Sequence, residues 1–108
     1  MSRKPVRPRE SARQDVEAAV DYYVGEAGAD VALGFINALQ TAYRSIADHP
    51  AAGSLRYANQ LGLPGLRSRI LRRYPYLVFY VERDDHIDVW RVLHALRDIP
   101  AWMQEPES

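Results

Sequence analysis

The chain has 108 residues, no cysteine, and 14 Lys and Arg against 14 Asp and Glu. That length suits one domain of two packed layers, and 47 % hydrophobic with 26 % charged residues is an ordinary globular balance. Disulfide and thiolate chemistry are excluded by the missing cysteine. No apolar run reaches the length of a membrane span. The N-terminal "MSRKPVRPRE" has no apolar stretch after it, so no signal peptide is expected. A cytoplasmic protein without a membrane partner is the simplest expectation.

The neutral total hides an uneven distribution. Residues 1–9 carry four basic and no acidic side chains, and residues 10–50 carry seven acidic and two basic. Residues 51–97 carry eight arginines against four acids, and the last eleven residues carry three acids and no base. The arginine-rich half suits nucleic acid, an acidic protein segment, or plain solvation at a sheet edge. Arginine over lysine favours planar, multi-donor contacts.

In chain order, residues 5–9 form a short strand that Pro5 and Pro8 confine to a sheet edge. Ser11 is a candidate N-cap, with Gln14 three positions on. A helix follows over about 12–25, with Val16, Ala19, Val20 and Tyr23 as its buried stripe. "GEAGAD" ends it, and Asp30 caps a second helix over about 31–47. Phe35, Leu39, Ala42, Tyr43 and Ile46 face inward on that helix, which completes a helical hairpin. The stretch "HPAAGSLRYANQLGLPGL" carries turn signals without periodicity and reads as a long loop. The period then changes to two. Strands are predicted at 66–73, 76–83 and 86–94, with Asp84-Asp85 as a tight turn in the last hairpin. The tail "AWMQEPES" offers Trp102 as a docking residue ahead of a fraying acidic end. The fold class is α+β: an N-terminal helical hairpin on a small, mainly antiparallel sheet, in one domain spanning 1–108.

No motif points to a metal or a cofactor. The three histidines lack zinc-motif spacing, and no GxGxxG, GxxxxGK[ST] or GxSxG is present. The arginines carry more signal. Strict alternation puts Arg67 and Arg69 on one face, with Arg73 if the strand continues, and Leu66, Ser68, Ile70 and Arg72 on the other. It gives Arg91 the parity of Ile87, Val89 and Leu93, and sets Asp88, Trp90, Val92 and His94 opposite. Several arginines then line one rim, either solvated on an open sheet face or forming a partner groove. The stretch "RVLHALRD" at 91–98 adds Arg97, which Asp98 could orient. RNA cleavage there needs a base, such as His94 or His86, and a proton donor, such as Tyr80. The sequence does not fix the cross-strand register that would bring them together. His94 also lacks an adjacent nucleophile, which favours a structural role.

Taken together, "HPAAG" at 49–53, "LPGLR" at 63–67, "YPYLVFYV" at 74–81 and "RVLHALRDI" at 91–99 resemble the ParE toxins of the RelE/ParE superfamily. The resemblance runs over about residues 11–99. It implies the same α+β fold and the toxic half of a type II toxin–antitoxin pair, of the kind that stabilises plasmids. Characterised ParE-like toxins target DNA gyrase, whereas RelE-like relatives cleave messenger RNA on the ribosome. Arg67 and Arg97 approximate the RelE-type arginine positions. "DIPAWMQ" after Arg97 holds no tyrosine, and Lys4 is the only lysine, so the nuclease pattern is incomplete.

The resemblance therefore implies a gyrase-inhibiting toxin that is not an enzyme and needs no cofactor. Its expected partners are a ParD-like antitoxin and, through that antitoxin, operator DNA. A RelE-type endoribonuclease and an inactive antitoxin-binding member are the alternatives. The expected contacts to antitoxin or target are Arg67, Arg69, Arg72, Arg73, Trp90, Arg91 and Arg97. Tyr80 and His94 are assigned a structural role, or a catalytic one in the nuclease alternative.

Overall fold

The computed structural model describes residues 3–97 and 99–103, and of Trp102 the backbone alone. The docking of Trp102, the acidic tail and the orientation of Arg97 by Asp98 lie outside the described residues.

Strand β1 (Val6–Pro8) leads into helices α1 (Glu10–Ala27) and α2 (Ala29–Asp48). A 3-10 turn at Pro50–Ala52 and helix α3 (Arg56–Leu61) follow, then strands β2 (Arg67–Ile70), β3 (Tyr76–Glu82) and β4 (Ile87–His94), and last α4 (Ile99–Met103). The expected long loop is thus partly helical, because Tyr57, Ala58 and Leu61 have an apolar surface to pack on.

Both long helices begin earlier than their capping residues suggest. Arg9, not Ser11, occupies the first cap, and the Ser11 hydroxyl instead donates to the Trp90 carbonyl at 3.1 Å. Gly28 alone separates α1 from α2. Its φ of 95° is a conformation that glycine adopts without a Cβ clash, so the hairpin reverses in one residue. Asp30 lies inside the first turn of α2, where its charge favours the helix dipole rather than capping by hydrogen bond.

The sheet order is β1-β4-β3-β2, antiparallel except for the parallel β1–β4 pair. The two-proline strand β1 takes an edge, where a missing donor costs nothing. Arg83 N–H donates to the His86 carbonyl at 2.8 Å, which closes Asp84-Asp85 as a two-residue turn.

The sheet is covered on both sides. Ala12, Ala19, Phe35, Leu39 and Ile46 from the hairpin pack with Tyr76, Val78, Tyr80, Ile87, Val89 and Val92. On the reverse face Ala58, Leu66, Phe79, Val81, Leu93 and Ile99 form a second cluster. Burying each large apolar side chain in these clusters contributes about 1.5–3 kcal/mol. Arg67 and Arg69 pair with Tyr80 and Val78, so they stand on the hairpin side rather than on an open sheet face.

Strict alternation fails in β4. Phe79 pairs with Arg91, but Tyr80 pairs with Val89, so Trp90 is the extra residue of a β-bulge. Before the bulge, Ile87 and Val89 serve the hairpin-side cluster. After it, Val92 takes that role and Leu93 joins the other cluster, the reverse of the predicted parity.

Candidate functional site: a basic sheet end

The seven expected contact residues separate into pins of the fold and groups at one end of the sheet. Arg67 is a pin. Its Nη1 donates to the carbonyls of Ala51 and Gly53 at 3.0 and 2.9 Å. Its cross-strand neighbour Tyr80 is fully buried and donates its hydroxyl to the Pro50 carbonyl at 2.7 Å. Two adjacent side chains therefore hold the chain between α2 and β2 against the sheet. A Cβ at Gly53 would collide with the Tyr80 hydroxyl, so glycine is required there. Burial pushes the Tyr80 phenol above its ordinary pKa, and the Arg67 charge opposes this only in part.

Arg91 is a second pin. It donates to both carboxylate oxygens of Asp15 at 2.8 Å, and Asp15 also accepts from Val92 N–H at 2.9 Å. The arginine predicted as a partner contact is largely withdrawn from the surface and clamps α1 onto β4. The bulge places two consecutive residues, Trp90 and Arg91, opposite the Phe79–Tyr80 step, and that irregularity accompanies the unexpected aim.

Trp90 is half-buried beside a carboxylate hub rather than projecting as an anchor. Asp88 accepts from Arg9 at 3.0 Å, from Arg83 at 3.1–3.2 Å and from the Trp90 indole at 3.1 Å. The Arg9 guanidinium also lies 4.6 Å from the Trp90 ring centroid, a cation–π contact. Burial alone would raise the Asp88 pKa, but the hydrogen bonds from Arg9, Arg83 and Trp90 outweigh it and hold the carboxyl below its ordinary value. Sequence inspection missed this hub. The only local hint was an aspartate two residues before a tryptophan.

The remaining arginines collect where β2 and β4 end and β3 begins. Leu71 N–H donates to the Tyr76 carbonyl at 2.9 Å, and Ala95 N–H donates to the Pro75 carbonyl at 2.7 Å. These bonds put the 72–75 turn beside the segment after His94. Arg72 and Arg73 are exposed on the turn instead of extending β2, and Arg73 has a φ of 69°. That left-handed geometry turns the chain away from the strand. Tyr74 anchors the turn by donating its hydroxyl to the Val31 carbonyl at 2.9 Å. Arg69 approaches the same end on β2, and its Nη1 is buried with no hydrogen-bond partner among the described residues. Arg97 is exposed on the far side of the end, next to Leu96, which is 88 % exposed.

A cleft of about 440 Å³ opens between α1 and this end, lined in part by Tyr22, Tyr76, His94, Leu96 and Arg97. Aromatic packing stiffens its floor: Phe35 lies 5.1 Å and His94 lies 5.2 Å from the Tyr76 ring centroid, both edge-on. His94 Nδ1 accepts from Leu96 N–H at 3.1 Å, so the imidazole orders the segment that carries Leu96 and Arg97. Tyr80 and His94 do share the hairpin side. Tyr76, not Tyr80, is the cross-strand partner of His94. Four residues along β3 set the two apart by about 13 Å, too far for one reacting phosphate. No group of three or more metal-ligating side chains is present among the described residues. No helix among them is long and apolar enough to cross a membrane.

Comparison with known proteins agrees with the architecture. The family model described as "ParE toxin of type II toxin-antitoxin system, parDE" matches residues 6–99. A search of curated proteins gives no match. Among solved structures, a chain of the "Chromosomal ParDE TA system from P. aeruginosa" superposes with a TM-score of 0.71 at 20 % identity, covering 84 % of this chain and 95 % of that one. At that identity the likeness bears on the fold, while the family model spans nearly the whole domain. This chain belongs to the ParE toxin family of type II toxin–antitoxin systems.

Proposed function

We propose that this ParE-family toxin acts by binding DNA gyrase and is neutralised by a ParD-like antitoxin. The observation that carries the binding reading is the separation of Tyr80 from His94. The Tyr80 hydroxyl is committed to the Pro50 carbonyl, and His94 Nδ1 is committed to Leu96. Tyr80 and His94 therefore serve the fold at separate places, and the other candidate base, His86, has its Nδ1 2.6 Å from the Asp85 carboxylate in the β3–β4 turn. Arginine supplies charge and directed donors but stays protonated at neutral pH, which suits recognition.

The basic end of the sheet is the proposed contact surface. Arg69, Arg72, Arg73 and Arg97 provide its charge, and Ile70 and Leu96 provide exposed apolar area of 59 % and 88 %. Acidic, partly disordered segments fold while wrapping such surfaces, and neutralisation of the toxin follows from that coverage. Arg67, Trp90 and Arg91 contribute by holding the surface in shape. Operator DNA is reached through the antitoxin in the complex.

Purified toxin added to gyrase, and separately to translating ribosomes, tests the target. The binding reading expects inhibited supercoiling and trapped cleavage complexes, with intact messenger RNA. In-frame cuts in the ribosome assay, with gyrase unaffected, would replace it by the nuclease reading.

A further inference from the structure

The outer edge of β2 is only partly occupied. Ser54 and Ser68 exchange backbone hydrogen bonds of 2.9 Å in each direction, so the backbone of Ser68 faces away from β3. Leu71 N–H, in contrast, bonds inward to the Tyr76 carbonyl. Antiparallel strands alternate these directions residue by residue. The N–H and C=O of Ile70 therefore point outward, one rung beyond the Ser54 bridge, and no turn or loop hydrogen bond among the described residues engages them.

Three features surround that open rung. The Ile70 side chain is 59 % exposed, an apolar group on an edge strand of a kind natural sheets usually cover or replace with charge. Arg69 Nη1 is buried without a hydrogen-bond partner among the described residues, which is costly for a cationic donor until an acceptor arrives. Arg72 and Arg73 follow at once, both exposed and in no ion pair among the described residues. An approaching chain thus meets a backbone donor and acceptor, an apolar side chain and three guanidinium groups within the five residues 69–73.

We propose that an extended acidic segment of the antitoxin adds to the sheet at Ile70, continuing the edge that Ser54 begins, and gives a carboxylate to Arg69. This rests on the antitoxin reading above and names the place and mode of contact. Main-chain pairing at Ile70 sets the register of the added strand, and the arginines select for acidic side chains.

Ile70→Pro tests the rung with little cost to the fold. Proline removes only the outward N–H, which β3 does not use, and an edge strand tolerates it at such a position. The purified full-length protein is titrated with the product of the adjacent small reading frame, and amide hydrogen exchange is followed in the free and bound states. The expected results are protection of the Ile70 amide on binding and about tenfold weaker affinity in Ile70→Pro, with an unchanged circular dichroism spectrum. Arg69→Gln weakens binding similarly and lowers its salt dependence. Tight binding by the wild type with an unprotected Ile70 amide, and equal affinity in Ile70→Pro, overturns strand addition while leaving the antitoxin reading standing. Failure of the wild type to bind that product overturns both. If Ile70→Pro loses its folded spectrum, the exchange result on the wild type and the Arg69→Gln affinity decide the matter.

Discussion

Replacing Arg91 by alanine separates a fold pin from a binding contact. Side-chain exposures of 12 % for Arg91 and 11 % for Asp15 place this ion pair mostly out of water. Solvent screening is therefore weak, and surface-pair values of about 0–1 kcal/mol do not apply. Arg91→Ala leaves the Asp15 carboxylate to the Val92 N–H, which donates to it at 2.9 Å. Removing one member of a buried pair typically costs about 3–5 kcal/mol, and the residual exposure argues for the lower end, about 3 kcal/mol. A domain of this size then melts about 10–20 °C lower.

Urea denaturation of wild type, Arg91→Ala, Asp15→Asn and the double variant measures the coupling, expected at about 1–3 kcal/mol. Arg91→Lys should lose part of the stability, because an ammonium cannot reproduce the two parallel donors. At a temperature where Arg91→Ala stays folded, gyrase inhibition and antitoxin binding should survive. Loss of either activity with a stability change under about 1 kcal/mol would refute the clamp and return Arg91 to the contact surface.

Four further outcomes are expected. Asp88 has a folded pKa below its ordinary value, so its contribution is present above about pH 4 and is lost as pH falls through the lowered value; urea midpoints measured against pH should show a shallower acid limb in Asp88→Asn. Tyr80→Phe should cost about 1 kcal/mol through the Pro50 carbonyl and retain toxicity, checked by thermal melts and growth after induction. Burial and the nearby Asp15 charge push the Tyr43 phenol up to about 12, so its ultraviolet titration should lag exposed tyrosines, and its stabilising effect should disappear as pH rises from about 10 toward that value. Arg97→Ala should weaken toxicity with the fold intact, whereas folded His94→Gln should retain most of it; the reverse order in a growth assay would favour chemistry at His94.

The helical hairpin and the β3–β4 turn were legible because local patterns determine them. Val16, Ala19, Val20 and Tyr23 recur at helical spacing, and all of them pack toward the sheet. Pro5 and Pro8 restrict β1 to an edge, since proline has no amide donor. Asp84-Asp85 between two alternating runs predicts the turn that closes there. The family resemblance rested on motifs distributed along the chain, and the match over residues 6–99 bears it out. The limits of the helices were less legible. Arg9 and Gly28 took the cap positions because the Ser11 hydroxyl found an acceptor on β4 and Gly28 reversed the hairpin alone.

The roles of the arginines required the tertiary structure. A guanidinium has five donors on a long stem, so spacing along the chain says little about its acceptor. The Asp15 that Arg91 grips is 76 positions away, and Asp88 lies 79 positions from Arg9. The bulge at Trp90 then reverses the parity of every residue after it, and one inserted residue leaves no mark in an alternating pattern. Composition and periodicity thus determined a helical hairpin on a sheet with an arginine-rich half. Register, the bulge and long-range ion pairing decided which arginines hold that sheet together and which collect at its end, because each depends on groups that only folding brings within a few ångströms.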